Sequence, residues 1–187
     1  MSSLISIIVV SYKNEEFIYE TLDSILNQDY HSIELVIADD GTKGFIPKVY
    51  IDYINSKKKD NIKNIKVYSN KRNLGSVKNI NNALKVVSGK YIRLIASDDA
   101  FYSSNTISEC IKIMIEKKSI LLATEVELCN EKLEKVIESD HMMNNYKHNL
   151  AYDYKDGELF KKLAIGNWIY STGIFFTKDF FDKYGYF

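Results

Sequence analysis

Two adjacent aspartate pairs, Asp39-Asp40 and Asp98-Asp99, are the residues of this chain whose types and positions best suit chemistry. Each pair directly follows an apolar run that is typical of a buried strand. Neighbouring carboxylates repel each other, so the fold itself gains nothing from two such pairs. Because parallel strands end at one edge of an open α/β sheet, where ligands bind, we expect the pairs to meet there. Hard oxygen ligands in that position favour Mg²⁺ or Mn²⁺ with a phosphorylated substrate, although aspartate is also a common turn and cap residue.

The segment at residues 11–15 follows the first apolar run, so it should border the same edge. It begins with Ser11 and Tyr12 and ends with Glu15. The Tyr12 ring suits stacking on a flat ligand ring, with polar backbone nearby to hold that ring's edge. A partly exposed loop aromatic is the alternative for Tyr12, since the chain has 14 tyrosines.

A second candidate segment, Asn73-Leu74-Gly75-Ser76, leads into a predicted helix. Helix N-termini favour phosphate and carboxylate groups, so this segment could border a diphosphate. Lys78, in the first turn of the same helix, could approach that diphosphate or remain a solvated lysine. A glycine turn before a helix is common, so this segment is weak evidence by itself.

Several classes of function are disfavoured. The chain has 25 basic and 25 acidic residues, so its formal net charge is zero and no overall positive potential attracts nucleic acid. Only Arg72 and Arg93 could read phosphate or guanine in a bidentate manner. Cys110 and Cys129 lack metal-type spacing, the three histidines are scattered, and Cys110 is expected to be a buried reduced thiol. Neither a GxGxxG nor a GxxxxGK[ST] motif is present, which disfavours a Rossmann dehydrogenase and a P-loop NTPase.

Strand-type and helix-type patterns alternate through the first two thirds of the chain. The predicted strands cover residues 4–10, 33–38, 65–68, 91–96 and 120–124. Between them, apolar residues recur at the spacing of one helical face. We expect Asn14 to cap the first helix and Ser76 the third, with Val77 on the inward face of the third. The alternation predicts a Rossmann-like α/β fold with a doubly wound, mostly parallel sheet flanked by helices.

The last third of the sequence is less regular. Residues 140–157 are polar and predict a long loop. A short helix is predicted at residues 158–165, a strand at 174–177 and a helical turn at 179–184. The length of 187 residues favours a single domain.

Taken together, these segments resemble family 2 glycosyltransferases with the GT-A fold. The matching segments, in order and at the family's spacing, are Ile7-Ile8-Val9-Val10-Ser11-Tyr12-Lys13-Asn14-Glu15, Thr21-Leu22-Asp23-Ser24-Ile25-Leu26-Asn27-Gln28, Val36-Ile37-Ala38-Asp39-Asp40-Gly41-Thr42, Asn73-Leu74-Gly75, Ser88-Gly89-Lys90-Tyr91-Ile92 and Ser97-Asp98-Asp99. The resemblance is good over residues 4–128 and looser at Ser171-Thr172-Gly173 and residues 180–187. It implies one GT-A domain over residues 1–187, with a nucleotide-sugar-binding half at 1–128 and a partial acceptor-side half at 129–187.

The resemblance also implies roles for the matching residues. Ser11, Tyr12 and Glu15 would line the pocket for the nucleotide base and ribose. Asp40, with Asp39 beside it, would contact the base. The aspartate pair after the second strand would therefore serve the nucleoside.

The other pair would serve the metal and the diphosphate. Asp98 matches the metal-proximal acid of the family's DxD motif and Asp99 the acid after it, whereas Ala96 replaces the first acid of that motif. We expect Asp98 and Asp99 to suffice for Mn²⁺ or Mg²⁺. The full set of expected nucleotide-binding residues is Ser11, Tyr12, Glu15, Asp39, Asp40, Asn73, Gly75, Lys78 and Asp98, and the expected metal ligands are Asp98 and Asp99.

The catalytic base is not assigned. In this family the transfer is usually inverting: an acceptor hydroxyl attacks the anomeric carbon, a carboxylate removes its proton and a metal stabilises the departing diphosphate. That carboxylate usually lies shortly after the segment that residues 184–187 resemble, so its motif is expected beyond Phe187, where this sequence stops. Asp179 and Asp182 are expected to be helix-end residues. We therefore expect the donor-binding half of a transferase, truncated on the acceptor side, with negligible sugar transfer by these residues alone.

The expected function is a glycosyltransferase domain that takes a UDP-linked sugar and serves a glycan or lipid-linked acceptor, as in surface polysaccharide assembly. Two alternatives are a non-catalytic nucleotide-sugar-binding module and a receiver-like Mg²⁺-binding regulatory domain. The receiver-like domain would need an acidic pair after the first strand, where Ser11-Tyr12 stands. The N-terminus lacks a basic region and a long apolar run, which predicts a cytoplasmic protein. If the protein associates with the membrane peripherally, we expect it at the inner face. Donor sugar and oligomeric state are left open.

Overall fold

The computed structural model describes residues 3–136 and 171–187 of the chain. The chain divides into two compact units. The larger unit comprises residues 1–122 and 174–187, and the smaller unit comprises residues 123–173.

A six-stranded sheet runs through the described residues. Its strands are β1 (Ile5–Ser11), β2 (Ile33–Asp39), β3 (Ile62–Ser69), β4 (Tyr91–Ala96), β5 (Leu121–Ala123) and β6 (Ile174–Thr177). Their order across the sheet is β3-β2-β1-β4-β6-β5. β1 pairs in parallel with β2 and β4, β2 pairs in parallel with β3, and β4 pairs antiparallel with β6. The doubly wound, mostly parallel sheet expected from the sequence is confirmed.

Helices cover both faces of this sheet. The described helices are α1 (Ile18–Leu26), α2 (Pro47–Lys57), α3 (Ser76–Leu84), α4 (Thr106–Lys117) and α5 (Lys178–Tyr184). One core cluster joins α1, α2 and α4 to one face of the sheet, and a second joins α3 and α5 to the other. Because both faces are covered, the central strands are apolar along most of their length, and every residue of β2 is buried.

Three local expectations at helix starts are wrong. Asn14 does not cap α1, which begins four residues later with Phe17 at the N-cap position and no side-chain cap. Ser76 is the first residue of α3 rather than its cap, a position taken by Gly75 at φ 87°. Val77 is 53% exposed, because the fully buried side of α3 passes through Asn79 and Ala83. At 100° per residue, Val77 lies on the opposite side of the helix from Asn79.

The last third is described in part. The loop expected at residues 140–157 and the helix expected at residues 158–165 lie outside the described residues. The strand expected at 174–177 is confirmed as β6, and the turn expected at 179–184 lies within α5. In the part of the chain that the structure describes, no helix is both long and apolar enough to cross a membrane.

In the smaller unit, the described residues form an antiparallel bridge between Cys129 and Lys135. The N–H and hydroxyl of Thr124 both donate to the carbonyl oxygen of Gly173, at 2.8 and 2.9 Å. In the larger unit, Cys110 is buried and reduced as expected, and burial raises the pKa of its thiol to about 11.

Lys118 ends α4 in the left-handed conformation, with φ 52° and ψ 36°. Its N–H donates to Ile115 O at 3.2 Å, and Ser119 N–H donates to Met114 O at 2.9 Å. Glycine reaches this conformation without a Cβ clash, so Lys118→Gly should raise the free energy of unfolding by about 0.5–1 kcal/mol. Lys112→Gly, at an exposed position in the interior of α4, should lower it by about 1 kcal/mol. Urea denaturation measures the free energy of unfolding of both variants, which should change in opposite directions. A loss of stability in both would contradict the prediction.

Candidate functional site

The carboxyl ends of β1, β2 and β4 form the candidate site. Ser11 pairs with Asp39 across β1 and β2, and the Asp40 N–H donates to the Ser11 carbonyl oxygen at 2.8 Å. On the other side of β1, the Ser97 N–H donates to the Val10 carbonyl oxygen at 3.0 Å. The segment that follows β1 therefore lies between the two aspartate pairs.

Asp39 is fully buried and organises the turn after β2. Its Oδ2 accepts hydrogen bonds from the Gly41 N–H at 3.0 Å, the Thr42 N–H at 2.9 Å and the Ser69 hydroxyl. Gly41 has φ 80°, and a Cβ there would lie 2.4 Å from the Arg72 carbonyl carbon, so the turn requires glycine. Asp39 Oδ1 is buried without a partner among the described residues. The geometry gives Asp39 a structural role, and its expected place beside the base stays a prediction.

Asp40 binds the turn that leads into α3. Its Oδ1 accepts from the Leu74 N–H and from Asn70 Nδ2, both at 2.9 Å, and its Oδ2 accepts from the Gly75 N–H at 2.8 Å. A carboxylate at a helix N-terminus is favoured by the helix dipole. The backbone donors that the sequence offered to a phosphate are thus engaged by the protein's own carboxylate in this conformation.

The loop after β1 presents Tyr12 and Glu15, whose side chains are exposed. The Tyr12 ring is 39% exposed, and the Lys13 ammonium lies 5.0 Å from its centroid. Lys13 has φ 59°, and its N–H donates to the Thr42 hydroxyl at 2.9 Å, which fixes the loop against the turn after β2. One face of an aromatic ring is thereby held at the sheet edge, where a flat ligand ring could stack.

Asn73 and Lys78 are exposed at the start of α3. Asn73 Oδ1 accepts from the Gly75 N–H at 2.9 Å, and Lys78 occupies the first turn of the helix. Lys78 brings a positive charge to the start of α3. Its proposed approach to a diphosphate stays a prediction.

Asp98 and Asp99 follow β4 at the same edge. Asp98 is exposed and accepts from Asn14 Nδ2 at 3.3 Å, while Asp99 is half-buried. Within the described residues, no group of three or more Asp, Glu, His or Cys side chains could hold a metal ion. Mg²⁺ and related ions are commonly held by one or two carboxylates together with substrate phosphates rather than by an all-protein cage. The exposed Asp98 and the adjacent Asp99 fit that donor set.

Phe187, the position beyond which the catalytic base is expected, lies against α3 and α5. Its N–H donates to Asn81 Oδ1 at 3.1 Å, and its carbonyl oxygen accepts from Asn81 Nδ2 at 2.7 Å. Its ring centroid lies 5.7 Å from that of Phe181. A phenyl side chain has no group that can take a proton, so Phe187 itself is not the base. The expectation that the base motif follows this position stays a prediction.

Two contacts at the candidate site were not predicted from the sequence. Asn14, expected to be a helix cap, instead joins the β1 loop to Asp98. Asn79 is fully buried, with Nδ2 donating to the Ala38 carbonyl oxygen at 2.8 Å and Oδ1 accepting from Asn70 at 2.9 Å. Asn79 thereby ties α3 to the end of β2. No periodicity signals either contact, because both join segments that are distant in the chain.

Arg93 is a buried cation behind the second aspartate pair. Its guanidinium lies 5.0 Å from the Phe175 ring centroid and 5.7 Å from that of Phe101, and Nη1 donates to the Leu94 carbonyl oxygen at 2.8 Å. Burial lowers the pKa of Arg93 to about 10, and the charge of Asp99 opposes that change. The arginine stays charged at neutral pH and adds positive potential beneath Asp99.

Comparison with known proteins gives one family and several curated relatives. The sequence model of the family described as Glycosyl transferase family 2 matches residues 6–182. An uncharacterized glycosyltransferase of Haemophilus influenzae is 29% identical over 174 residues, covering 93% of this chain and 48% of the relative. UDP-Glc:alpha-D-GlcNAc-diphosphoundecaprenol beta-1,3-glucosyltransferase WfaP of Escherichia coli is 36% identical over 117 residues, or 62% of this chain and 43% of the relative. The chain spans less than half the length of these two relatives.

Solved structures agree in architecture. S. aureus TarS 1-349 in complex with UDP-GlcNAc superposes with a TM-score of 0.59 at 27% identity, covering 68% of this chain and 35% of that one. Its complex with UDP gives a TM-score of 0.60 at the same identity, covering 68% and 36%. The mannosyltransferase PcManGT from Pyrobaculum calidifontis, in complex with GDP-Man and Mn²⁺, has a TM-score of 0.60 over 68% of this chain and 36% of that one. At 18% identity it shows the fold alone.

Proposed function

This chain belongs to glycosyl transferase family 2, and on that premise we propose that it binds the nucleotide-sugar donor of a glycosyltransferase, with a UDP-linked sugar as the favoured donor. The resemblance found in the sequence motifs is confirmed by the family match over residues 6–182. TarS, which has been solved with UDP and with UDP-GlcNAc, supports the choice of uracil as the base.

The observation that carries the proposal is the contact between the segments after β1 and β4. Asn14 joins Asp98 across this edge at 3.3 Å, so the loop that presents Tyr12 lies beside the exposed carboxylate. A nucleotide needs a stacking surface for its base and charged or polar groups for its phosphates, and these two segments supply both side by side.

In the proposed complex, the nucleoside lies over the first segment. Ser11, Tyr12 and Glu15 line the base and ribose, with the turn that carries Asp39 and Asp40 at the edge of the base. Tyr12 provides an exposed ring at this edge, with the Lys13 ammonium 5.0 Å from its centroid. The oxygens of Asp40 are engaged by α3, so base contact through Asp40 requires a shared hydrogen bond or a movement of residues 74–75.

The diphosphate lies toward β4 and the start of α3. Asn73, Gly75 and Lys78 border it on one side, and Asp98 and Asp99 hold the metal on the other. A bound Mn²⁺ or Mg²⁺ would neutralise the charge of the diphosphate leaving group. The chain's own contribution is to orient the two carboxylates and to place buried Arg93 behind them.

For the whole protein we propose inverting transfer of the sugar to a glycan or lipid-linked acceptor. The acceptor oxygen forms the new bond to the anomeric carbon, the bond to the diphosphate breaks with its electron pair, and a carboxylate takes the hydroxyl proton. WfaP, whose name specifies a diphosphoundecaprenol-linked acceptor, supports a lipid-linked substrate and a role in surface polysaccharide assembly. A cytoplasmic location, with peripheral contact at the inner membrane face, is proposed on the same ground.

Selective stabilisation by UDP tests the proposed donor. UDP with Mn²⁺ at about 100 times its Kd should raise Tm by roughly 5–10 °C, because ligand binding to the folded state adds about 2.7 kcal/mol. GDP with Mn²⁺ at the same concentration serves as the matched comparison and should give a much smaller shift. Equal shifts with both nucleotides, or no shift with UDP, would contradict the proposal. Screening UDP-linked sugars in the same assay then identifies the donor.

A further inference from the structure

The α1 polar stripe, which consists of Thr21, Ser24 and Gln28, faces the segment between β4 and α4. Thr21 and Ser24 lie one helical turn apart on α1, and Gln28 follows just beyond its end on the same side. Thr21 is fully buried and Gln28 is 3% exposed. Burying polar side chains costs free energy unless they are hydrogen-bonded, so the partners of this stripe show what it does.

Those partners are the backbone groups of the segment that carries Asp99. The Thr21 hydroxyl donates to the Asp99 carbonyl oxygen at 2.7 Å, and the Phe101 N–H donates to the Ser24 hydroxyl at 3.1 Å. Gln28 Nε2 donates to the carbonyl oxygen of Ser103 at 2.7 Å, and Gln28 Oε1 accepts from the Ile107 N–H at 3.1 Å. Residues 99–105 form neither helix nor strand, so these side chains supply the hydrogen bonds that regular structure would otherwise give.

The hydroxyl geometry leaves little freedom at Ser24. Ser24 Oγ donates its proton to the Thr21 carbonyl oxygen at 2.7 Å, which turns a lone pair toward the Phe101 N–H. Gln28 is held in a similar way, because Nε2 also donates to the Ser24 carbonyl oxygen at 3.1 Å. Hydrogen bonds to the backbone of α1 therefore help to orient the Ser24 and Gln28 side chains toward the segment after β4.

The same segment is held from its other side. The Phe101 ring lies 5.7 Å from the buried guanidinium of Arg93, which belongs to β4. Along the chain, Asp99 thus lies between β4 and Phe101, whose N–H donates to Ser24 of α1. Asp98 is the preceding residue, so holding this backbone in place also fixes the point from which the Asp98 side chain extends.

We propose that the α1 polar stripe positions the Asp98 and Asp99 carboxylates for the metal-bound diphosphate, with Thr21 as the main positioning residue through the Asp99 carbonyl. This inference rests on the proposed function of the site. A site of this kind needs its charged groups within about 0.5 Å of their working positions, and partners of the ligating residues provide that precision. Replacing a stripe residue should consequently reduce the increase in UDP affinity that a metal provides. It should leave the UDP affinity without metal unchanged.

Thr21→Val tests the inference, because valine keeps the shape of threonine and removes the hydroxyl. Calorimetry measures UDP affinity in Mn²⁺ and in EDTA for each variant, and their ratio is the metal enhancement. Thr21→Val should reduce the enhancement by about 10-fold or more while the affinity in EDTA changes by less than about 2-fold. Thr21→Ser, which restores the hydroxyl, should return the enhancement to within about 2-fold of the original protein.

Ser56→Ala is the matched control, since the Ser56 hydroxyl makes a local bond to the Tyr53 carbonyl oxygen on the exposed side of α2. It should leave both affinities unchanged. Ser24→Ala provides a milder variant if Thr21→Val does not fold, and it should reduce the enhancement in the same direction. An unchanged enhancement in both stripe variants, or an equal loss with and without Mn²⁺, overturns the inference. Absence of any Mn²⁺ enhancement in the original protein instead overturns the metal site of the proposed function.

Discussion

Replacing Asp98 with alanine should abolish Mn²⁺-dependent UDP binding while the protein stays folded. Asp98 is exposed, and the hydrogen bond it accepts from Asn14 is long at 3.3 Å, so truncation should cost the fold little. Loss of a direct metal ligand should weaken the metal-dependent affinity by more than the roughly 10- to 100-fold that outer-shell substitutions cost. Asp99→Ala should have the same consequence for binding.

Calorimetry with UDP in Mn²⁺ and in EDTA measures this effect. Asp52→Ala is a suitable control, because Asp52 is an exposed aspartate whose carboxylate pairs with Lys48 at 2.6 Å on α2. It should bind UDP as the original protein does. Unchanged metal-dependent binding by Asp98→Ala, with a Tm close to that of the control, would remove Asp98 from the metal site.

Glu34→Gln should produce the largest loss of stability, about 3 kcal/mol at pH 7. Glu34 is a fully buried carboxylate near the start of β2. It accepts hydrogen bonds from the Ser6 hydroxyl at 2.5 Å, the Lys66 ammonium at 2.7 Å and the Ser88 N–H at 2.8 Å. An amide at this position would turn an NH₂ group toward at least one of these donors and would leave the Lys66 charge without its partner.

The pH dependence of stability gives a second test of the same carboxylate. Burial opposes ionisation of Glu34, but hydrogen bonds from Lys66, Ser6 and Ser88 outweigh it and lower its pKa from 4.5 to about 2. A lowered pKa in the folded state stabilises the protein above pH 4.5, and this contribution is lost as pH falls toward 2. The stability difference between the original protein and Glu34→Gln should therefore shrink between these two values.

Urea denaturation of both proteins at several pH values measures that difference. Glu116→Gln, at an exposed position of α4, is the control and should change stability by less than about 0.5 kcal/mol at any pH. A stability difference that stays constant from pH 7 to pH 2 would show that folding does not lower the pKa of Glu34, and would contradict the prediction.

Much of the fold follows from local patterns. Mostly apolar runs predicted β1, β2 and β4 to within one residue at each end, since a strand covered on both faces has little room for polar side chains. β3 is longer than its apolar run and spans Ile62–Ser69, because its outward residues are polar and gave no signal. Glu34 lies inside one of the buried strands, and no rule of composition indicates that its charge is paired there.

The sequence by itself determined the alternation of strands and helices, the family resemblance and the gathering of two aspartate pairs at one sheet edge. These features depend on residue type and near-neighbour spacing, which one chain displays directly. Only the tertiary structure decided that Asp40 binds the turn before α3, that Asn14 reaches Asp98 and that Thr21 holds the carbonyl of Asp99. Those hydrogen bonds join residues 34 to 84 positions apart. Side-chain direction and the packing of distant segments decide such contacts, and neither leaves a periodic trace in the sequence.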